Sequence, residues 1–130
     1  INLDMNHVDA ERNSGVTLFG NHKSDVEHIR GITSKFKQEH PDLANRYNIN
    51  VRHFANTEMP YNSDHAPFVY NIDEDDSDGT KYGRAVVCYG SGSSEYHTYL
   101  DNMDRFNEES LAVSGIIYGS LVYYLAYGEA

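Results

Sequence analysis

The chain has 130 residues and a mass of 14.8 kDa, enough for one domain and too little for two. Ten basic residues against twenty acidic ones give a formal charge of −10 at pH 7, which repels phosphate backbones and sets nucleic acid aside as a partner. Hydrophobic residues at 39% and charged residues at 23% suit a folded soluble domain, and the single cysteine, Cys88, excludes an internal disulfide and a thiol-based zinc site.

Leu3 to Met5 reads as a short buried strand. The chain opens inside it without a start methionine, a basic leader or a cleavable apolar segment, the pattern of a portion cut from something longer. A polar loop from Asn6 to Gly15 leads to a second strand, Val16 to Phe19. Ser24-Asp25-Val26-Glu27 has the form of a capping box, and Val26, Ile29, Ile32 and Phe36 follow at helical spacing. This predicts an amphipathic helix over 25–38, ended or broken at Pro41. Asn50 to Phe54 reads as a strand. Arg84 to Tyr89 contains Ala-Val-Val-Cys, apolar enough for a strand covered on both faces. Asn107 is placed to cap a last helix, with Glu108 and Glu109 in its first turn, where the helix dipole favours them.

That helix carries the apolar run Leu111 to Tyr127, about 26 Å long at ~1.5 Å per residue. The run is slightly short for a membrane span and holds Ser114, Ser120 and four tyrosines, so it reads as a buried C-terminal helix. Gly115 and Gly119 make a G-x-x-x-G pair, a weak signal outside a fully apolar helix. Six tyrosines between Tyr89 and Tyr124 could mark a partner surface. Packing against a sheet with the hydroxyls at its edge is the preferred reading. Strands alternating with helices predict an α/β layered sheet.

Asp73-Glu74-Asp75-Asp76-Ser77-Asp78-Gly79 offers hard oxygens that could hold calcium, but no acid sits where an EF-hand's bidentate twelfth ligand belongs. A solvated loop is the simpler expectation. Three other segments place polar, metal-competent side chains beside chain reversals. Asp4 is a carboxylate in an apolar strand, and needs a cation, a donor network or a strand-end position. Ser63-Asp64-His65-Ala66-Pro67-Phe68 precedes a helix start. Glu95-Tyr96-His97-Thr98, with Asp101 and Asp104 after it, follows the flexible stretch Gly90 to Ser94. That stretch lacks the Gly-Lys-Ser/Thr ending of a phosphate loop. In an α/β sheet, loops after strand C-termini form the ligand crevice, where Asp4 and His97 could converge.

Taken in order, Leu-Asp-Met, Ser-Asp-His-x-Pro-Phe and Tyr-His-Thr-x-x-Asp before a long apolar helix resemble the C-terminal half of the M28 metallopeptidase family. These are the co-catalytic zinc aminopeptidases and their carboxypeptidase relatives. The resemblance runs from Asn2 to about Gly128. It implies a three-layer α/β sandwich with a mostly parallel central sheet flanked by helices, of the phosphorylase/hydrolase-like zinc peptidase fold. Residues 1–130 would then be the C-terminal portion of one domain whose N-terminal portion is missing from this chain.

By the same resemblance, Asp4 would bind one zinc and His97 the other, with Asp101 orienting the site. Ser63, Asp64 and His65 would support the site wall, and Tyr61 lies near a position that in some members helps stabilise the oxyanion. The implied chemistry is peptide hydrolysis by a water that two zinc ions activate, with a glutamate as general base. A secreted or cell-envelope protein is also implied.

The departures are as informative. The family's upstream His-x-Asp segment and Glu-Glu pair have no counterpart in the right place. His7-Val8-Asp9 follows Leu-Asp-Met instead of preceding it, and Glu108-Glu109 is better explained as a helix start. The family's Gly-Ile-Pro is replaced by the acidic loop and Gly83-Arg84-Ala85. The chain alone is therefore expected to be incomplete and inactive, its substrate a peptide and its partner the missing portion of the same protein. A single-zinc enzyme resembling the glutaminyl cyclases and a non-catalytic binding or structural relative are the alternatives.

Overall fold

The computed structural model describes residues 1–4, 15–70, 82–90, 97–100 and 102–128. In chain order these form β1 (Asn2–Asp4), β2 (Gly15–Gly20), α1 (Lys23–Glu39), α2 (Pro41–Arg46), β3 (Asn48–His53), α3 (Ala66–Val69), β4 (Val86–Gly90) and α4 (Glu108–Tyr127). Short 3-10 turns sit at Asn56–Glu58 and Met103–Arg105.

The four strands make one sheet in the order β1-β4-β2-β3. β1 runs parallel to β4 and β2 parallel to β3, while β2 and β4 are antiparallel. The architecture is thus α/β with a small mixed sheet, in which two of the three strand pairings are parallel, as expected from sequence, and the β2–β4 pairing is antiparallel. An antiparallel seam is invisible in the residues of β4, because an inner strand covered on both faces reads as continuously apolar in either direction.

α1 and α4 cover one face. Val26, Ile29, Ile32 and Phe36 of α1 and Val113, Ile117, Tyr118 and Leu121 of α4 are buried at helical spacing. Val16, Leu18, Ile49, Val86 and Cys88 rise from the sheet to meet the two helices. The other face is covered by the chain from Phe54 to Tyr70, whose Met59 and Val69 pack on Phe19, Ala85 and Val87. α3, only four residues long, is the one helix in that layer among the described residues.

α1 starts earlier than the capping-box reading places it. Its N-cap is His22, which makes no side-chain cap bond, and Ser24 and Asp25 lie within the first turn. Asp25 is buried and bonds Arg84 bidentately, Nε to Oδ2 and Nη2 to Oδ1, both at 2.6 Å. Arg84 Nη2 also reaches the Ser24 hydroxyl at 3.4 Å. The tertiary ion pair engages the acid that the local motif leaves unassigned. At the other end, Pro41 stops α1 and opens α2 as its first residue.

α4 follows its sequence signals closely. The Asn107 side chain accepts from the Glu109 and Ser110 amides, and Gly128 closes the helix at φ 74°. The helix is long and apolar enough to cross a membrane by length and composition, but one side of it packs on the sheet. Its other side exposes Leu111, Ile116, Val122, Tyr123 and Leu125.

Candidate functional site

The parallel pairing sets Asp4 beside Tyr89, so β1 and β4 end at the same edge of the sheet. Because β2 and β4 are antiparallel, the carboxyl ends of β1 and β4 share one end of the sheet with the amino ends of β2 and β3. Asp4 stands at that end. Strand alternation directs Asn2 and Asp4 to the face covered by the 54–70 layer and Leu3, paired with Cys88, to the helix face.

On the first face the Ser63 turn meets β1 across 59 residues of sequence. The Ser63 hydroxyl donates to Asp4 Oδ2 at 2.5 Å, and Asn2 Nδ2 donates to Ser63 Oγ at 2.8 Å. Asn2 Nδ2 also lies 3.3 Å from His65 Nδ1. An amide NH2 can only donate, so Nδ1 accepts and the His65 proton resides on Nε2, which donates to the Pro60 carbonyl. His65 is 3% exposed and packs edge-on against Phe19. A buried imidazole thus braces the turn that holds Ser63. Ser63 in turn fixes one oxygen of Asp4, and Oδ1 takes no hydrogen bond among the described residues.

Entry into this layer depends on a close approach. A Cβ on Gly83 would lie 1.8 Å from the Phe68 carbonyl oxygen, so only glycine lets the segment leading to Arg84 pass this close to α3. The buried Asn21 amide fastens the same corner. It donates to Asn56 Oδ1 and the Gly83 carbonyl and accepts from the Ala85 amide.

Among the described residues, no hydrogen bond joins the other residues singled out from sequence to this network. Asp64 is exposed and lines a small cavity with Ile1, Asn2, Phe68 and Arg84. Tyr61 is 79% exposed, with its ring edge-on to Tyr70 at 6.5 Å. His97 is exposed and has the left-handed φ of 60°, uncommon for any residue other than glycine. Asp101, the acidic run 73–78 with its calcium expectation, and the rejected His7-Val8-Asp9 lie outside the described residues. Among the described residues, no three His, Cys, Asp or Glu side chains gather closely enough to hold a metal ion.

Asn2 was not a candidate from sequence, although it lies two residues before Asp4 and hence on the same strand face. That period-two relation is the signal that finds it. No protein-family model matches the chain, and neither does any curated protein or solved structure.

Proposed function

We propose that this chain supplies part of the metal site of a zinc-dependent exopeptidase of the aminopeptidase type, with Asp4 and His97 each binding one of two neighbouring zinc ions. One observation carries the reading. Asp4 is the last residue of β1 and has one oxygen bonded to Ser63 and the other without a hydrogen bond among the described residues. A carboxylate oriented through one oxygen and open at the other fits a monodentate zinc ligand with outer-shell support. Zinc, when bound, supplies Lewis acidity and lowers the pKa of water toward neutrality.

The residues of this chain hold and orient. Ser63 keeps Asp4 in one rotamer, Asn2 fills the remaining hydroxyl valence of Ser63, and His65 ties the turn to Pro60. The base and the remaining ligands belong, in this reading, to a further portion of the same protein. Two surfaces support such a portion. β1 is an edge strand whose Leu3 is 53% exposed, and the outer side of α4 carries no charge from Leu111 to Tyr127.

The test is hydrolysis of an aminoacyl anilide by the protein in its longest natural form. Activity that chelation abolishes and zinc restores is the expected result. Undiminished activity after exhaustive chelation would overturn the proposal.

A further inference from the structure

Beside the Asp4–Ser63 pair, on the same face of the sheet, lies a cavity of about 300 Å³, at the lower end of the range for small-ligand pockets. Thr17, Phe19 and Tyr89 form its floor, and Phe54, Pro60 and Asn62 line its side. Two of these residues join it to the proposed metal site: Asn62 precedes Ser63, and Tyr89 pairs with Asp4. Phe19 and Phe54 meet edge to face at 5.4 Å on the apolar side.

Arg52 stands at the far end. Its register partner is Phe19, so its side chain emerges on this face. Arg46 and Arg84 each bind a carboxylate through two nitrogens. Arg52 has neither a hydrogen bond nor an ion pair among the described residues. A guanidinium left open beside aromatic walls, on a molecule with ten surplus negative charges, is a local attractor for an anion. Arg52 is exposed to solvent, and its planar fork matches a carboxylate.

We propose that this cavity binds a carboxylate of a peptide, with Arg52 gripping the anion and the Phe19–Phe54–Tyr89 surface holding the chain that leads to it. Asp4 is in register with Asn50, three strand spacings away, and Arg52 lies two residues further along β3, so the two positions are roughly 16 Å apart. Allowing for the reach of the arginine side chain, an extended peptide covers that distance in about three residues. The carboxylate is therefore the free C-terminus of a short peptide or an acidic side chain of a longer one. The inference deepens the exopeptidase reading, from which it takes the idea of a substrate. The binding step itself needs no zinc.

Calorimetric titration of the metal-free chain with three N-acetylated peptides tests it: Ala-Ala-Ala, its C-terminal amide, and Ala-Glu-Ala amide. A carboxylate peptide is expected to bind at least about tenfold tighter than the Ala-Ala-Ala amide. Preference for the free acid identifies the C-terminus as the anion, and preference for Ala-Glu-Ala amide identifies the side chain. Arg52→Gln should erase the advantage and Arg52→Lys should keep part of it. Equal affinity for all three, no measurable binding by any, or a preference that survives Arg52→Gln would overturn the proposal. A chain without zinc affinity that still shows this preference would remove the peptidase reading and leave the pocket standing.

Discussion

Asp4 owes its geometry to residues far away in sequence, and this shapes what a substitution there can do. Ser63 touches Asp4 through its hydroxyl, so Ser63→Ala deletes that hydrogen bond and the one the hydroxyl accepts from Asn2, without opening a large cavity. If Asp4 binds zinc, this change should weaken zinc affinity about tenfold in a competition titration while the circular dichroism spectrum is unchanged. Unaltered affinity would show that the hydroxyl has no outer-shell role.

An acid in an apolar strand announces that it needs a partner, and Ser63 and His65 stood out beside a turn. Their actual linkage through Asn2 is a tertiary fact that no local spacing encodes. The Ser24 capping box misled for a related reason: Arg84, 59 residues from Asp25, supplies a stronger local claim on the first turn than the box does.

At the scale of elements, α4 shows how far local signals reach. Its cap, first-turn acids and terminal glycine were all readable, but which of its apolar residues face the sheet was not. A helix apolar all round has no polar face to orient it. Gly115 and Gly119 occupy the helix interior, and a Cβ at either would meet nothing within 4 Å. Alanine at each should therefore stabilise the chain by roughly 0.5–1 kcal/mol in urea unfolding, since glycine's cost in a helix is removed with no clash.

The start of α4 is also latched to the end of α2. Glu109 accepts from Arg46 Nε at 2.9 Å and Nη2 at 2.7 Å, and from the Tyr47 hydroxyl at 3.1 Å. The Arg46 hydrogen bonds, chiefly, hold the Glu109 carboxyl below the usual carboxylate range, against a smaller opposing effect of burial. A lowered folded-state value means that this contribution is complete above about pH 5 and is lost as pH falls through the lowered value. The difference in melting temperature between the parent and Glu109→Gln should stay constant from pH 7 to about 5 and close in more acid solution.

Across the whole molecule, the sheet's inner strand is the natural reporter of integrity. Cys88 sits in β4 with no exposure, beneath α4, and burial pushes its thiol up to about 12, against smaller lowering contributions from Ser114 and Tyr118. At pH 8 a thiol reagent should thus label Cys88 only through opening of the structure, at a rate that rises with urea in step with global unfolding. Rapid labelling of the native chain would mean that α4 detaches readily from the sheet.

The α/β class and the covered inner strand followed from alternation and apolar runs, whereas strand direction did not. Parallel and antiparallel neighbours bury the same side chains, so only the connections, set by tertiary packing, decide. The apolar surfaces at Leu3 and along α4 lie on the same side of the sheet, since Leu3 shares the face of Cys88. That common side is where the proposed remaining portion of the protein would add its layer.

The most direct measurement is a crystal of the protein grown with zinc and read by anomalous scattering at the zinc edge. A peak about 2.0–2.2 Å from Asp4 Oδ1, absent in Asp4→Asn, with a second peak against the His97 imidazole, is the predicted result. No peak at Asp4 under saturating zinc, or peaks confined to other side chains, would contradict the account.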